Sequence, residues 1–241
     1  MNAPALVAVA HGSRDPAASH SVDRLLGEVR RQRPGLTVLA GYLDHSEPRL
    51  AAALAGLDRP AVVVPLLLTA AYHSAVDIPG QLAGARHPVT TAAVLGPHDL
   101  LLAALERRLG EAGVPPGDPS TAVALAAAGS ADPGATATVA GLARSWATRG
   151  WWAVEPAFAS AAEPTVDAAV TALRRRGAPR VAVASYLLSP GVFADGLHDS
   201  GADVVSAPLG AAPEVAAVVL ERYDRAVLAS SGGGGGHLPR R

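Results

Sequence analysis

Ala5-Leu6-Val7-Ala8-Val9-Ala10-His11-Gly12-Ser13-Arg14-Asp15-Pro16 is an apolar run that stops abruptly at a histidine and a glycine. Six apolar residues without polar alternation read as a strand covered on both faces. Residues 17–33 read as a helix, and the unit then repeats. Strands are expected at 36–43, 61–68 and 89–95, with helices at 47–57, 74–85 and 98–109. Strand–helix alternation of this kind predicts parallel strands with helices on both faces.

Residues 111–120 hold Gly113, Pro115, Pro116, Gly117 and Pro119 and read as a linker. The pattern then begins again, with strands at 121–127, 151–158, 179–188 and 202–207 and helices at 134–149, 163–176 and 213–229. The division expected is an N-terminal α/β lobe over 1–112, a linker over 113–120 and a C-terminal lobe over 121–229. A tail over 230–241, with glycines at 232–236, reads as disordered.

The second half resembles a copy of the first. Gly12-Ser13 and Asp15-Pro16 recur as Gly129-Ser130 and Asp132-Pro133. Glu47-Pro48 recurs as Glu163-Pro164, and Leu67-Leu68-Thr69 as Leu187-Leu188-Ser189. A near-constant offset across several motifs points to duplication and two similar lobes. The histidines were not copied. His11 faces Ala128, His73 faces Phe193 and His98 faces Ala212, while Arg14 faces Ala131. One lobe is therefore expected to be active and the other to support it.

Composition narrows the chemistry. The 241 residues are 49% hydrophobic and 17% charged, a globular balance. Twenty basic residues against twenty-one acidic ones give no cationic field for nucleic acid or an anionic membrane. Cysteine is absent, which excludes disulfides, thiolate metal sites and thiol nucleophiles. Lysine is absent too, which excludes Schiff-base chemistry and a P-loop. Met1 precedes Asn2, Ala3 and Pro4 with no basic n-region, and no apolar run approaches the ~18 residues of a membrane span. A cytoplasmic location is expected.

Four clusters carry candidate chemistry. His11 sits where the first strand should end, the edge at which open α/β sheets bind ligands. Gly12 permits a turn there, and Ser13, Arg14 and the first amides of the next helix suit an anion. His73 follows the third strand in Thr69-Ala70-Ala71-Tyr72-His73-Ser74-Ala75-Val76-Asp77-Ile78-Pro79. It is expected at the same edge, and two imidazoles on neighbouring strand ends can share one divalent metal. In Tyr42-Leu43-Asp44-His45-Ser46-Glu47-Pro48, Asp44 could complete a metal site or accept a proton. Glu47 survives as Glu163 in the lobe that lacks counterparts of these histidines, so it reads as a helix-start residue. His45 is ambiguous. His98, in Leu95-Gly96-Pro97-His98-Asp99, either flanks the same cleft or begins a helix. His20 and His87 read as surface residues. Trp146, Trp151 and Trp152 read as core or lobe-interface residues.

The strand-end His11-Gly12-Ser13-Arg14-Asp15-Pro16 and the stretch from Leu67 to Pro79 resemble the sirohydrochlorin chelatases, the small cobalt- and iron-chelatases of the class II type. Tyr42-Leu43-Asp44 with Glu47-Pro48, and Leu95-Gly96-Pro97-His98, extend the resemblance across residues 6–109. The second lobe resembles the degenerate half of the two-lobed form. The resemblance implies a chelatase-like fold with the active cleft between the lobes. It implies insertion of a divalent metal into sirohydrochlorin, with release of two protons, in siroheme or cobalamin biosynthesis. Fe2+ and Co2+ are the implied metals, with Ni2+ in a related branch, all as substrates and with no tightly bound cofactor. The paired catalytic and metal-binding histidines fall on His11 and His73. The acidic metal-binding position, usually Glu, falls on Asp44. Ser13, Arg14, Tyr72 and His98 are assigned to the acidic tetrapyrrole. No nucleic-acid or membrane partner is expected, and a fused duplicate can assemble its cleft as a monomer. A histidine phosphatase-like enzyme and a non-catalytic metal or tetrapyrrole carrier are the alternatives. The phosphatase chemistry normally places Arg before the histidine, where this chain has Ala10. A nucleotide-binding module is disfavoured, since no G-x-G-x-x-G or Walker motif occurs.

Overall fold

The computed structural model describes residues 3–69, 78–82 and 85–232. In chain order the elements are β1 (Ala5–Ala10), α1 (Pro16–Gln32), β2 (Val38–Tyr42), α2 (Leu50–Ala55), β3 (Ala61–Pro65), β4 (Val89–Thr91) and α3 (Asp99–Glu111). The second half gives β5 (Thr121–Ala127), α4 (Pro133–Ala147), β6 (Ala153–Phe158), α5 (Val166–Arg175), β7 (Arg180–Tyr186), α6 (Val192–Gly196), a 3-10 turn over Leu197–Ser200, β8 (Val204–Val205) and α7 (Pro213–Gly232). Two parallel four-stranded sheets result, ordered β2-β1-β3-β4 and β6-β5-β7-β8. The two-lobed α/β fold expected from the sequence is the fold observed.

Strand periodicity explains the layers. On β1, Leu6 and Ala8 face a central core, whereas Val7 and Val9 face Leu50, Ala53 and Leu54 of α2. On β5, Val123, Leu125 and Ala127 face the same central core, and Ala122, Ala124 and Ala126 face α5. Each strand is apolar on both faces because each sheet is covered on both sides. The central core lies between the sheets and is filled by α1, α3, α4 and α7.

The last helix of each half packs across to the other half. α3 follows β4 yet packs on β7 and α7, while α7 follows β8 yet packs on α1, β3 and β4. Polar ties follow the same exchange. Arg108 of α3 donates to the Leu209 carbonyl, and Tyr223 of α7 donates to the Pro4 carbonyl at 2.7 Å. Trp146 of α4 is fully buried, donates to Glu106 of α3 at 2.8 Å and meets Trp151 edge-on. Both residues therefore serve core and lobe interface, as expected. Trp152 packs against the core on the other face of the second sheet, with the guanidinium of Arg176 over its ring.

Several elements are shorter than the sequence implies. The helix expected over 47–57 begins only at Leu50, because Tyr42 donates to the Pro48 carbonyl and Tyr42 bridges Arg49 as a strand residue. The fourth strand ends at Thr91 rather than at residue 95. Beyond it, buried Arg222 of α7 donates to the carbonyls of Val94 and Leu95, both at 2.8 Å, in place of a further strand. The strand expected over 202–207 shrinks to two residues, and α6 with its 3-10 turn has no counterpart in the sequence reading. Of the helix expected over 74–85, residues 78–82 are helical, 85 is not, and 74–77 with 83–84 lie outside the described residues.

Candidate functional site

In the order β2-β1-β3-β4 the chain leaves β1 toward one side of the sheet and β3 toward the other. The crevice at the carboxyl ends of β1 and β3 is thus the topological switch point, where open α/β sheets bind ligands. His11 is the first residue after β1 and is exposed in that crevice.

The turn behind His11 is fixed by close backbone contact. Gly12 has φ +93°, and a Cβ there would lie 1.7 Å from the Asp44 carbonyl oxygen. Only glycine fits. Asp44 donates its amide to the His11 carbonyl at 2.8 Å, and Leu43 donates to Ala10 at 3.1 Å. The hydroxyl of Ser46 donates to the Ser13 carbonyl and accepts from the Ser13 amide. The loops after β1 and β2 are therefore stitched together beneath His11. Asp15 caps α1, its Oδ1 accepting from the Ala17 amide, with Pro16 as the first helical residue.

His11, Gly12 and Ser13 line a cavity of about 190 Å³ with Ser19, Tyr42, Leu66, Leu67, Leu188 and Ser189. A second cavity of about 270 Å³ adjoins it through Leu66, Leu67 and Leu188, and is lined by Ala128, Gly129, Ser130 and Phe158 of the other half. Together they form a largely apolar slot between the lobes, with the His11 imidazole at one end and serine or threonine hydroxyls lining both cavities. Arg14 is exposed one residue beyond the cavity wall.

The other expected site residues divide. Asp44 lies beside the His11 loop, but its carboxylate is engaged. Oδ1 accepts from Arg49 and from the His45 amide, both at 2.8 Å. The Arg49 guanidinium first, and the His45 amide second, hold the Asp44 carboxyl below its ordinary range. His98 is placed apart from the His11 cavity. Its Nδ1 accepts from the Leu100 amide as the cap of α3, and its Nε2 lies 2.9 Å from Glu221 of α7. Of the two roles open to His98, helix start is the one this geometry supplies. Tyr72 and His73 lie outside the described residues. Glu47 accepts from the Arg49 amide at 2.9 Å, and Glu163 accepts from the Thr165 amide at 2.9 Å. That shared arrangement is structural, as the survival of Glu163 suggested.

His45 is the residue the sequence left ambiguous. Its ring centroid lies 6.4 Å from that of His11, nearly perpendicular to it. Its backbone is left-handed, with φ +58°. The sequence points to Asp44 at this strand end, and nothing in its spacing singles out His45 as the side chain whose ring meets His11.

Among the described residues, no group of three or more His, Cys, Asp or Glu side chains could hold a metal ion. The donors placed together are the two imidazoles of His11 and His45, with the Asp44 carboxylate beside them. Imidazole suits Fe, Co, Ni and Zn. No described helix is long and apolar enough to cross a membrane.

Comparison with known proteins agrees with this fold. A sirohydrochlorin cobaltochelatase of Priestia megaterium is 27% identical over 208 residues, which are 79% of this chain and 66% of that protein, so the chain spans about two thirds of that relative's length. The structure of SirB from Bacillus subtilis with Fe3+ superposes with a TM-score of 0.78 at 22% identity, covering 95% of this chain and 98% of SirB. SirB from Bacillus subtilis subspecies spizizenii in complex with cobalt gives 0.72 at 21% identity, over 95% and 97% of the two chains. The CbiX family model matches residues 5–112 and again 122–226, once per lobe, and the chain belongs to this family of sirohydrochlorin chelatases.

Proposed function

We propose that this chain inserts a divalent metal, Fe2+ or Co2+, into sirohydrochlorin, as a lyase of siroheme or cobalamin biosynthesis. The observation that carries the reading is His11, held on a glycine-dependent turn at the switch point of the first sheet and replaced by Ala128 on the matching turn of the second. The relatives named above act on sirohydrochlorin or were solved with iron or cobalt, which supports the same substrate and metals.

In this reading the flat macrocycle lies in the slot between the lobes. Metal insertion needs a ligand set that binds the ion and then releases it. A few imidazoles give an open sphere, unlike the closed sphere of a structural site. His11 holds the metal with His73 as its partner ligand, and once the ion passes to the ring the freed imidazole accepts one of the two pyrrole protons while water takes the other. Each insertion places one divalent ion in the ring and releases two protons. Ser13, Arg14 and Tyr72 are assigned to the acidic side chains of the macrocycle. His98 is left to cap α3 and tie it to α7.

The test is anaerobic incubation of the protein with sirohydrochlorin and Co2+ or Fe2+, followed by absorption spectroscopy. Conversion of the metal-free spectrum at a rate proportional to protein concentration supports the reading. A rate equal to that without protein removes it, and the carrier alternative then stands if the macrocycle still binds.

A further inference from the structure

We propose that His45 joins His11 as an imidazole ligand that receives the incoming divalent metal, with Asp44 orienting the His45 ring. The resemblance carries over His11, His73 and Asp44, and residue 45 is not among them. This inference rests on the chelatase reading for its metal but on the chain's own geometry for its ligand.

Three observations converge. First, the two rings are close enough to share an ion. A ring nitrogen lies about 2.1 Å from a transition metal it binds, and a ring centroid about 1.1 Å farther, so two imidazoles on one ion have centroids about 5.2 Å apart at a tetrahedral angle and about 6.4 Å apart when they bind on opposite sides. The observed separation is 6.4 Å, the opposite-side distance, and the rings need close by only about 1 Å to bind at a tetrahedral angle, both residues lying exposed at the loop surface. Second, His45 has the carboxylate that metal-binding imidazoles use to fix the ring and raise its basicity. Nε2 of His45 lies 3.5 Å from Oδ2 of Asp44, an ion-pair distance that a small rotation of the ring shortens to a hydrogen bond, leaving Nδ1 for the metal. Asp44 is itself held, since its other oxygen accepts from Arg49 and the His45 amide. Its side chain is thereby better placed to steer His45 than to reach the ion.

Third, the copy shows what the backbone alone requires. Ala161, the counterpart of His45, has φ +55° against +58°, so the left-handed turn belongs to the fold and does not depend on an imidazole. Ser160 stands for Asp44, Thr165 for Arg49 and Ala128 for His11. The whole set of His11, Asp44, His45 and Arg49 is present in one lobe and missing from the other, as expected of residues that act together.

The test uses the full chain with His45→Ala and His45→Asn. Alanine is accepted at this turn, as Ala161 shows, and asparagine favours left-handed backbone without supplying an imidazole. Co2+ binding is measured by calorimetry without macrocycle, and insertion is measured against Co2+ and against sirohydrochlorin in turn. We expect both variants to lose at least about tenfold in Co2+ affinity and to need at least about tenfold more Co2+ for half-maximal rate, with KM for sirohydrochlorin unchanged. Co2+ affinity and metal dependence within about twofold of wild type in folded variants would overturn the assignment and leave the chelatase reading intact. Wild-type protein that binds Co2+ through His45 but inserts no metal would do the reverse.

Discussion

The loop after β1 and the loop after β5 are the same backbone device carrying different side chains. Gly12 and Gly129 have φ +93° and +96°, and a Cβ on either would strike a carbonyl oxygen, of Asp44 at 1.7 Å or Ser160 at 1.8 Å. Asp44 donates to His11 as Ser160 donates to Ala128, at 2.8 and 2.9 Å. Tyr42 donates to Pro48 as Phe158 donates to Pro164, both at 3.0 Å. What differs is His11, Arg14, Asp44 and His45, which give way to Ala128, Ala131, Ser160 and Ala161, while Asp15 and Glu47 keep their counterparts Asp132 and Glu163. The comparison teaches that the turn is a requirement of the fold and that the histidines are not, because one lobe keeps the turn without them.

The comparison can first be broken at the glycines. Gly12→Ala and Gly129→Ala should each destabilise the protein by roughly 3 kcal/mol or more, since strained backbone and a collision are added together. Thermal melts should show similar losses for the two. A loss confined to Gly12 would mean that the turns are not equivalent. Next in size is the tie between the halves. Trp146→Phe removes a buried donor to Glu106 and part of the ring packing, at a cost of about 1–3 kcal/mol measured by urea denaturation.

A smaller effect lies in the exchanged helices. Arg107 of α3 donates to Glu214 of α7, and this bond, more than any other influence, lowers the Glu214 carboxyl below its ordinary range. A carboxyl depressed in the folded state contributes stability above its unfolded value, and that contribution is lost as pH falls through the folded one. Glu214→Gln should therefore reduce stability near neutral pH by no more than about 1 kcal/mol, because Arg107 is half-exposed. The difference from wild type should vanish once pH is below the depressed carboxyl. A difference that persists or grows in acid would show that the side chain acts by packing. Smallest of all, Phe193→Ala should leave Co2+ affinity unchanged within about twofold, Phe193 being the exposed counterpart of His73 in the supporting lobe. Loss of Co2+ binding by a folded Phe193→Ala protein would contradict the division of labour.

Much of this was legible because it is periodic or duplicated. Apolar runs without alternation announced sheets covered on both faces, and the recurrent Gly-Ser and Asp-Pro motifs announced the second lobe. Element ends were less legible, because long-range groups set them. Arg222 claims the carbonyls of Val94 and Leu95 across 128 and 127 residues, and no local pattern near β4 reveals it. The exchange of α3 and α7 was hidden for the same reason, since amphipathic spacing names an apolar face and not its partner. In the site, His11 was legible from its strand end. His45 was not, because its meeting with His11 depends on a left-handed residue outside glycine and on strand order.

The most direct measurement is the rate of metal insertion into sirohydrochlorin by His11→Ala, at saturating Co2+, with folding verified by circular dichroism. His11 is exposed, so the substitution should leave the fold intact. Loss of a ligand that also accepts a proton should lower the rate by about two orders of magnitude or more. A folded His11→Ala protein working at the wild-type rate would contradict the account.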